Sequence, residues 1–253
     1  MEKERIDDLE INGLKIIQNK EYFCFGMDSV LLANFVVSNQ SKNVIMDFCS
    51  GSGVIPILLT ANQNFPKGIC VELQKEMFSL LERNISFNHL EQKLLCQNVD
   101  IKETKKIREF LFSHVKREEV DIITCNPPYQ KLHTGMKNEN PVKHLARHEI
   151  ACTLEDVFCS ASKLLKSKGK LYLVHRPDRL VDLLSIARKY QLEAKRIRFV
   201  HPKKEMKASI VLIEYRKDGG KELNVEPPLI EYNEQDDYTE EIYRIYGKEG
   251  KQW

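Results

Sequence analysis

The sequence predicts an α/β fold built on a seven-stranded, doubly wound, Rossmann-like sheet whose last strand is antiparallel. Short apolar, β-branched runs recur along the 253 residues, and segments of helical length separate most of them. Strands that alternate with helices in this way form βαβ units and a parallel sheet. The last two runs are joined only by His201–Ala208, which is too short for a helical crossover, so we expect the final strand to be antiparallel.

The elements can be placed along the chain from their residue patterns. The seven predicted strands are Val44–Phe48, Gly68–Val71, Leu94–Val99, Val120–Cys125, Lys170–His175, Arg196–Val200 and Ser209–Tyr215. The helices predicted between them are Val54–Ala61, Lys75–Asn88, Lys102–His114, Thr153–Lys166 and Asp178–Tyr190. Residues 41–217 therefore form the predicted sheet domain.

Two segments flank this sheet domain. Residues 1–40 form an N-terminal lead, in which Asn12-Gly13 predicts a hairpin turn and Asp28 is a candidate N-cap for the helix that follows. Residues 218–253 contain clusters of Glu and Asp, and we expect them to form a loosely packed acidic tail.

Composition excludes several classes of protein. Hydrophobic residues make up 42% and charged residues 30% of the chain, as in ordinary globular domains. No run of eighteen apolar residues occurs, and the first residues, MEKERIDDLE, lack the apolar core of a signal peptide. We therefore expect a cytoplasmic protein without membrane contact. The seven cysteines have no C-x-x-C spacing, which predicts reduced thiols and no zinc site.

The net charge of +2 is small, but it is unevenly distributed. Residues 195–217 hold eight basic and two acidic side chains, a net charge of +6, whereas residues 218–253 hold four basic and ten acidic ones, a net charge of −6. Lys203, Lys204 and Lys207 lie between the last two predicted strands and are candidate contacts for nucleic-acid phosphates. A solvated loop is the other interpretation of these lysines.

A glycine-rich turn follows the first predicted strand. The residues from Asp47 to Gly53 read DFCSGSG, which places Gly51 and Gly53 where a helix begins. Glycines at this point let the backbone approach a ligand closely. The dinucleotide fingerprint is G-x-G-x-x-G, and its last glycine is missing from this sequence. The turn therefore favours a smaller, adenosyl ligand over NAD.

Polar residues recur at the ends of the first four predicted strands. Asp47, Glu72, Asp100 and Asn126 are separated by 25, 28 and 26 residues. In a doubly wound sheet, the carboxyl ends of parallel strands face the ligand crevice. Glu72 is placed to bind ribose hydroxyls with both carboxylate oxygens, and Asp100 to accept a hydrogen bond from an adenine amino group.

The most specific motif of the chain, Asn126-Pro127-Pro128-Tyr129, ends the fourth predicted strand. Two prolines remove backbone donors and stiffen the turn, so that the preceding carbonyls point into the crevice without partners in the chain. Asn-Pro alone is a common turn dipeptide, but two prolines followed by an aromatic residue at this strand end are far rarer.

With these motifs the chain resembles the bacterial tRNA adenine-37 N6-methyltransferase family, within the class I amino-methyltransferases. The resemblance rests on Phe23-Cys-Phe-Gly-Met-Asp28, Asn126–Tyr129, Ala146-Arg-His-Glu149 and His175-Arg-Pro177, and it covers nearly the whole chain. It implies a class I methyltransferase sheet, S-adenosylmethionine as the methyl donor and tRNA as the partner. We expect no obligate protein partner.

The resemblance also implies roles for individual residues. The Asn126 side-chain oxygen and the Pro127 carbonyl would accept the two hydrogens of adenine N6, Pro128 belongs to the same motif, and Tyr129 would stack on the base. The cofactor would be bound at the strand ends and covered by the N-terminal lead, through Asp47, Gly51, Gly53, Glu72, Asp100, Phe25 and Asp28. Two arginines are candidate RNA contacts, with a structural ion pair as the other interpretation of each: Arg147 and Arg176.

Three histidines follow the Asn-Pro-Pro-Tyr motif, at positions 133, 144 and 148. Their spacings of 11 and 4 residues allow one helical i,i+4 pair without further obvious ligands. We therefore expect a polar substrate loop in this segment and no metal site.

Other functions stay open at this point. Enzymes that methylate a glutamine in release factors share Asn-Pro-Pro-Tyr but carry a larger helical N-terminal domain, and only about 40 residues precede the first strand of this chain. Guanine N2 methyltransferases usually have Phe at the position of Tyr129, and DNA adenine methyltransferases add a target-recognition domain. A non-catalytic RNA-binding scaffold would typically have lost the glycine turn or the motif, and both are intact.

Overall fold

One nine-stranded sheet organises the computed structural model, which describes residues 3–22, 24–38, 41–63, 65–128 and 152–248. The strands of these residues, including a separate N-terminal hairpin, are β1 Glu4–Asp8, β2 Lys15–Asn19, β3 Val44–Phe48, β4 Lys67–Glu72, β5 Leu94–Asn98, β6 Val120–Cys125, β7 Leu165–His175, β8 Leu192–His201, β9 Ile210–Lys217, β10 Asn224–Val225 and β11 Leu229–Ile230. Their helices are α1 Met27–Phe35, α2 Val54–Asn62, α3 Lys75–Phe87, α4 Thr104–Val115, α5 Leu154–Leu164, α6 Leu180–Lys189 and α7 Glu240–Ile245.

The sheet has the strand order β5-β4-β3-β6-β7-β9-β8, and the short strands β10 and β11 pair with the free edge of β8. The strands from β5 to β7 run parallel to one another, and β9 is antiparallel to both of its neighbours. The predicted doubly wound sheet is thus confirmed, with the seventh predicted strand, β9, antiparallel, and two unpredicted short strands extend it from seven strands to nine. The strand order reverses between β3 and β6, and such a switch point is where open α/β sheets bind ligands.

Apolar side chains cover both faces of the sheet, because successive residues of a strand point to opposite sides. Ile45 of β3 belongs to one buried cluster, whereas Val44, Met46 and Phe48 of the same strand belong to the other. The first cluster includes α1 and α2, and the second includes α4, α5 and α6. None of the helices in the described ranges is both long and apolar enough to cross a membrane.

The predicted helix over 153–166 is shorter than expected. Thr153 is its N-cap, since its hydroxyl accepts from the Asp156 amide at 3.1 Å and the Asp156 carboxylate accepts from the Thr153 amide at 2.9 Å. The helix ends at Leu164, because Leu165 already pairs with Val120 in the sheet and is fully buried there.

The predicted hairpin in the N-terminal lead is confirmed. β1 and β2 pair antiparallel, and Asn12 and Gly13 both have positive φ angles, 51° and 71°, as a type I′ turn requires. The prediction that Asp28 is the N-cap of α1 was wrong, because the helix begins at Met27 and Gly26 occupies the N-cap position. Asp28 lies in the first turn, where its negative charge complements the helix dipole.

The acidic tail is not a loosely packed appendage, contrary to our expectation. Its strands β10 and β11 extend the sheet beside β8, and Leu229, Ile242 and Ile245 are buried in the first apolar cluster. Tyr238 stacks on Tyr232 and Tyr246, with ring centroids 5.1 and 6.0 Å apart. The tail therefore contributes to the core of the fold.

The uneven charge distribution of the sequence explains how the tail docks. Glu226 forms an ion pair with Arg196 at 3.1 Å, and Glu241 forms one with Arg198 at 2.8 Å. The Arg196–Glu226 pair is partly buried on both sides, whereas in the second pair only Arg198 is, so the first pair is the better shielded from solvent. Part of the basic segment is therefore neutralised within the protein itself.

Removing a buried tail side chain should destabilise the whole fold. Leu229 is 1% exposed, so Leu229→Ala should lower the free energy of unfolding by about 2–5 kcal/mol. Val225 is 58% exposed, and Val225→Ala should change the free energy of unfolding by no more than about 0.5 kcal/mol. Urea denaturation of both variants tests this, and equal midpoints would contradict the packed tail.

Candidate active site

The glycine turn after β3 has a backbone shape that depends on its glycines. Gly51 and Gly53 have φ angles of +55° and +88°, which lie in the left-handed region that favours glycine. Gly53 is also the N-cap residue of α2, and a Cβ atom there would lie 2.5 Å from Leu81 Cδ1. The Ser50 amide donates to the Val71 carbonyl of β4 at 3.1 Å, so the turn is fixed against the neighbouring strand.

Glu72, the last residue of β4, lies against this turn. It is 4% exposed, and burial raises the pKa of its carboxyl group above the ordinary value. One carboxylate oxygen accepts from the Gly51 amide and the other from the Gln74 amide, each at 2.8 Å. A carboxylate oxygen can accept more than one hydrogen bond, so both oxygens keep capacity for ligand hydroxyls.

Asp47 is buried directly beneath the turn, at 1% exposure. Burial raises the pKa of its carboxyl group to about 7, although the Thr124 hydroxyl of β6 donates to its Oδ1 and lowers the pKa in part. Its Oδ2 has no hydrogen-bond partner among the described residues. A buried oxygen of this kind can accept a hydrogen bond from a ligand and favours a cationic group.

Asp100 follows β5 and is the most exposed of the three acids. Its Oδ1 accepts from the Lys102 amide at 2.9 Å, and its Oδ2 forms an ion pair with the Lys102 ammonium at 3.2 Å. The carboxylate is therefore held near the strand end, beside the edge that carries Glu72.

Asn126 lies directly after β6, at the same edge as the glycine turn. Cys125 is the ladder partner of Phe48, so Asn126 is level with the start of that turn. Asn126 is partly exposed, and its Nδ2 donates to Ser29 Oγ of α1 at 3.0 Å. Pro127 is buried and Pro128 is partly exposed, whereas Tyr129, the last residue of the motif, is outside the described residues.

The N-terminal lead reaches this region through α1, and its predicted residues Phe25 and Asp28 flank the start of that helix. The Phe25 amide donates to Oε1 of the buried Gln18 at 3.0 Å, and Phe25 packs against the first apolar cluster. Asp28 is 4% exposed, and its Oδ1 accepts from the Ser29 amide at 2.9 Å. Since Ser29 contacts Asn126, α1 joins the edge where β3, β4 and β6 end.

The predicted RNA contacts have different environments. Arg176 forms an ion pair with Asp178 at 2.6 Å, and Lys203 forms one with Asp236 of the tail at 2.5 Å. Lys204 and Lys207 are exposed. Arg147 and the three histidines lie outside the described residues, and no group of three potential metal ligands occurs in the part of the chain that is described.

Sequence reasoning missed Asn84 of α3, which joins the hairpin to the glycine turn. The side chain is fully buried; its Oδ1 accepts from the Ile17 amide at 2.7 Å, and its Nδ2 donates to the Ile17 and Ser52 carbonyls at 3.0 and 2.9 Å. One turn later, Asn88 bonds the amide and carbonyl of Lys15 in the same way. The only sequence signal was an asparagine beside Leu80, Leu81 and Ile85 on the apolar face of α3.

A parallel sheet with a glycine turn after β3, acids at adjacent strand ends and Asn-Pro-Pro after β6 is the class I methyltransferase type of fold. Residues 23–183 match the family described as Methyltransferase small domain. This match spans more than half of the chain, and the protein belongs to that family.

Several named proteins are similar in sequence to most of this chain. A Porphyromonas gingivalis W83 protein named tRNA1(Val) (adenine(37)-N6)-methyltransferase is 29% identical over 189 residues, which are 72% of this chain and 71% of the relative. A Flavobacterium johnsoniae protein of the same name is 23% identical over 242 residues, 92% of this chain and 98% of the relative.

Solved structures share the fold. A predicted O-methyltransferase from Agrobacterium tumefaciens superposes with a TM-score of 0.69 at 19% identity, covering 88% of this chain and 96% of that chain. P. horikoshii TYW2, solved in complex with MeSAdo, has a TM-score of 0.57 at 13% identity, covering 87% and 73%. At these identities the comparison establishes the fold alone.

The buried carboxyl group of Asp47 should make stability depend on pH. In the folded protein it loses its proton near pH 7, whereas the unfolded chain loses it near 3.8, so the native state holds more protons between these values. The free energy of unfolding should therefore fall as pH rises through this window, by at most about 1.4 kcal/mol per pH unit from this group. Asp47→Asn should lack this contribution, and urea titrations at pH 4.5, 5.5, 6.5 and 7.5 measure the difference. Parallel pH profiles for the two proteins would contradict the raised pKa.

Loss of the Asn84 amide should release the hairpin from α3. Asn84→Ala leaves the buried Ser52 carbonyl and the Ile17 amide and carbonyl without these partners, which should cost about 1–3 kcal/mol of stability. Hydrogen exchange should be faster at the Ile17 amide. Asn88→Ala is the matched control, since its bonds to Lys15 are solvent-exposed and should contribute less. Equal effects of the two substitutions would show that burial of the Asn84 contacts is unimportant.

Proposed function

We propose that this protein is an S-adenosylmethionine-dependent N6-methyltransferase that modifies an adenine in tRNA, at position 37 of the anticodon loop. The observation that carries the proposal is the position of Asn126, which follows β6 level with the glycine turn after β3. An amide acceptor beside an adenosyl-type site is the arrangement that methyl transfer to an exocyclic amine requires, because that reaction depends on positioning.

S-adenosylmethionine fits the residues at this edge of the sheet. The positive φ angles of Gly51 and Gly53 open the turn to a ligand, and Glu72 keeps acceptor capacity for ribose hydroxyls. Asp47 Oδ2, which has no hydrogen-bond partner in the described ranges, suits the positively charged amino group of the cofactor, directly or through water. When bound, the cofactor supplies an electrophilic methyl group on its sulfonium. The remaining proposed contacts are Asp100, Phe25 and Asp28.

The chain's own residues would activate the acceptor by orientation. Adenine N6 is a poor nucleophile because its lone pair is conjugated with the ring. Asn126 Oδ1 and the Pro127 carbonyl would accept its two hydrogens, which turns the lone pair towards the methyl group. The N–C bond forms as the S–C bond breaks, and the surplus proton leaves N6 for solvent. Pro128 would stiffen the turn, and Tyr129 would stack on the base.

The choice of tRNA is supported by the names of the relatives, which specify adenine 37 of tRNA1(Val). A base in the anticodon loop is unpaired, so moving it into the site costs less than flipping a paired base. We propose that the exposed Lys204 and Lys207 contact phosphates, together with Lys203, Arg176 and Arg147. A tRNA substrate also favours a cytoplasmic location, and we propose no obligate protein partner.

Asn126→Ala should lower methyl transfer to tRNA by about 100-fold or more, because it removes the proposed acceptor for N6 hydrogens. Purified protein would be incubated with methyl-labelled cofactor and unmodified bulk tRNA, and the product digested to nucleosides. Labelled N6-methyladenosine is expected. Asn224→Ala is the control, because Asn224 is exposed and lies in β10, at the edge of the sheet beyond β8. The methyl-transfer rate of this variant should stay within twofold of the wild-type rate.

Other labelled products would identify the competing functions. A labelled release-factor glutamine would favour the protein amide acceptor, and labelled guanosine would favour a guanine N2 acceptor. Either result without labelled adenosine would overturn the proposed substrate while keeping the cofactor. Cofactor binding without transfer to any of these acceptors would favour the non-catalytic scaffold.

A further inference from the structure

Asn126 makes a contact that its proposed role as an acceptor does not itself explain. Its Nδ2 donates to Ser29 Oγ at 3.0 Å, across 97 residues of sequence. Ser29 is 3% exposed and lies in the first turn of α1. The contact therefore joins the N-terminal lead to the Asn-Pro-Pro motif inside the protein.

The direction of this hydrogen bond determines what Asn126 offers to a substrate. A carboxamide has an acceptor oxygen and a donor nitrogen, and a 180° rotation about its last bond exchanges them. With Nδ2 bound to Ser29, Oδ1 is the atom left for an amine in the crevice. In the exchanged orientation the amide would present its own hydrogens to the hydrogens of the substrate amine, and the complex would be unproductive.

The backbone of Ser29 is held by hydrogen bonds of its amide and by the packing of α1. Its amide donates to the Gly26 carbonyl at 3.2 Å and to Asp28 Oδ1 at 2.9 Å. The other end of α1 is fixed by Arg196, which donates to the Phe35 carbonyl and lies over the Phe35 ring at 3.9 Å. Helix α1 also packs against α2 and β7. The backbone that carries the serine hydroxyl is therefore fixed, and the hydroxyl oxygen accepts from Asn126 Nδ2.

We propose that Ser29 is a positioning residue for methyl transfer, which orients the Asn126 amide so that Oδ1 faces the acceptor amine. This proposal rests on the proposed function, because it assumes that Asn126 Oδ1 binds the substrate amine. It assigns to the N-terminal lead a part in orienting the acceptor, separate from its expected part in covering the cofactor. The role belongs to the hydroxyl group, since the backbone contacts of Ser29 do not involve it.

Ser29→Ala should slow the methyl-transfer step and leave binding unchanged. One neutral hydrogen bond biases the amide orientation by a factor of about 3 to 10, and the single-turnover rate should fall by that factor. The dissociation constant of S-adenosylmethionine, measured by calorimetry, should stay within twofold. Ser160→Ala is the matched control, because Ser160 is equally buried but lies in α5, and it should keep the full rate.

A double-mutant cycle with Asn126→Ala distinguishes a role of Ser29 in positioning Asn126 from an effect of Ser29 that does not act through Asn126. If Ser29 acts through Asn126, then adding Ser29→Ala to Asn126→Ala should change the residual rate by less than twofold. The same 3- to 10-fold loss in both backgrounds would overturn the proposal, as would a full rate for Ser29→Ala. A loss of cofactor affinity with an unchanged single-turnover rate would also overturn it.

Failure of the proposed function gives a different result from failure of this inference. If the wild-type protein transfers no methyl group to tRNA adenine, the proposed function fails and this inference fails with it. If the wild type transfers the group and Ser29→Ala does so equally well, only the role of Ser29 fails.

Discussion

The parallel pairing of β3 with both β4 and β6 is the constraint on which the site depends. Phe48 at the end of β3 is opposite Val71 on one side and Cys125 on the other, so these three strands end at one level. The glycine turn starts directly after Phe48, Glu72 directly follows Val71, and Asn126 directly follows Cys125, so the sheet brings these three features to one edge. The three strands are held in register by apolar residues packed on both faces, as the burial of all five residues of β3 shows. A shift of one residue in this ladder would turn Asp47 to the opposite face.

Charge is distributed around this edge in a way that suits a cationic cofactor and an anionic substrate. Asp47 and Glu72 are both buried beside the glycine turn, and burial raises the pKa of each carboxyl group. A bound cation would stabilise the ionised forms of both carboxyl groups, and this interaction would contribute to the affinity for the cation. Fewer side chains of the basic segment are available for phosphate contacts than its sequence indicates. Arg196 and Arg198 are engaged by the acidic tail, which leaves Lys204 and Lys207 as exposed lysines of the loop between β8 and β9.

Local sequence patterns predicted most of the strands and helices, but they could not predict contacts between residues that are distant in sequence. The β-branched runs located the seven strands, and Asn12-Gly13 located the hairpin because a type I′ turn needs two positive φ angles. The tail strands β10 and β11 have only two residues each, so no periodicity could identify them. The N-cap of α1 was misplaced by two residues, because Gly26 has no side chain to mark an N-cap. Asn84 and Ser29 were missed because their partners lie 67 and 97 residues away in sequence.

The central claim is that the edge where β3, β4 and β6 end is one site for the cofactor and the acceptor amine. A crystal structure of the protein with S-adenosylhomocysteine, the product of methyl transfer, tests this claim most directly. We predict that the ribose contacts Glu72, that the backbone of Gly51 approaches the ligand, and that the sulfur faces Asn126. Binding at any other place on the protein, or a sulfur directed away from Asn126, would contradict this account of the site.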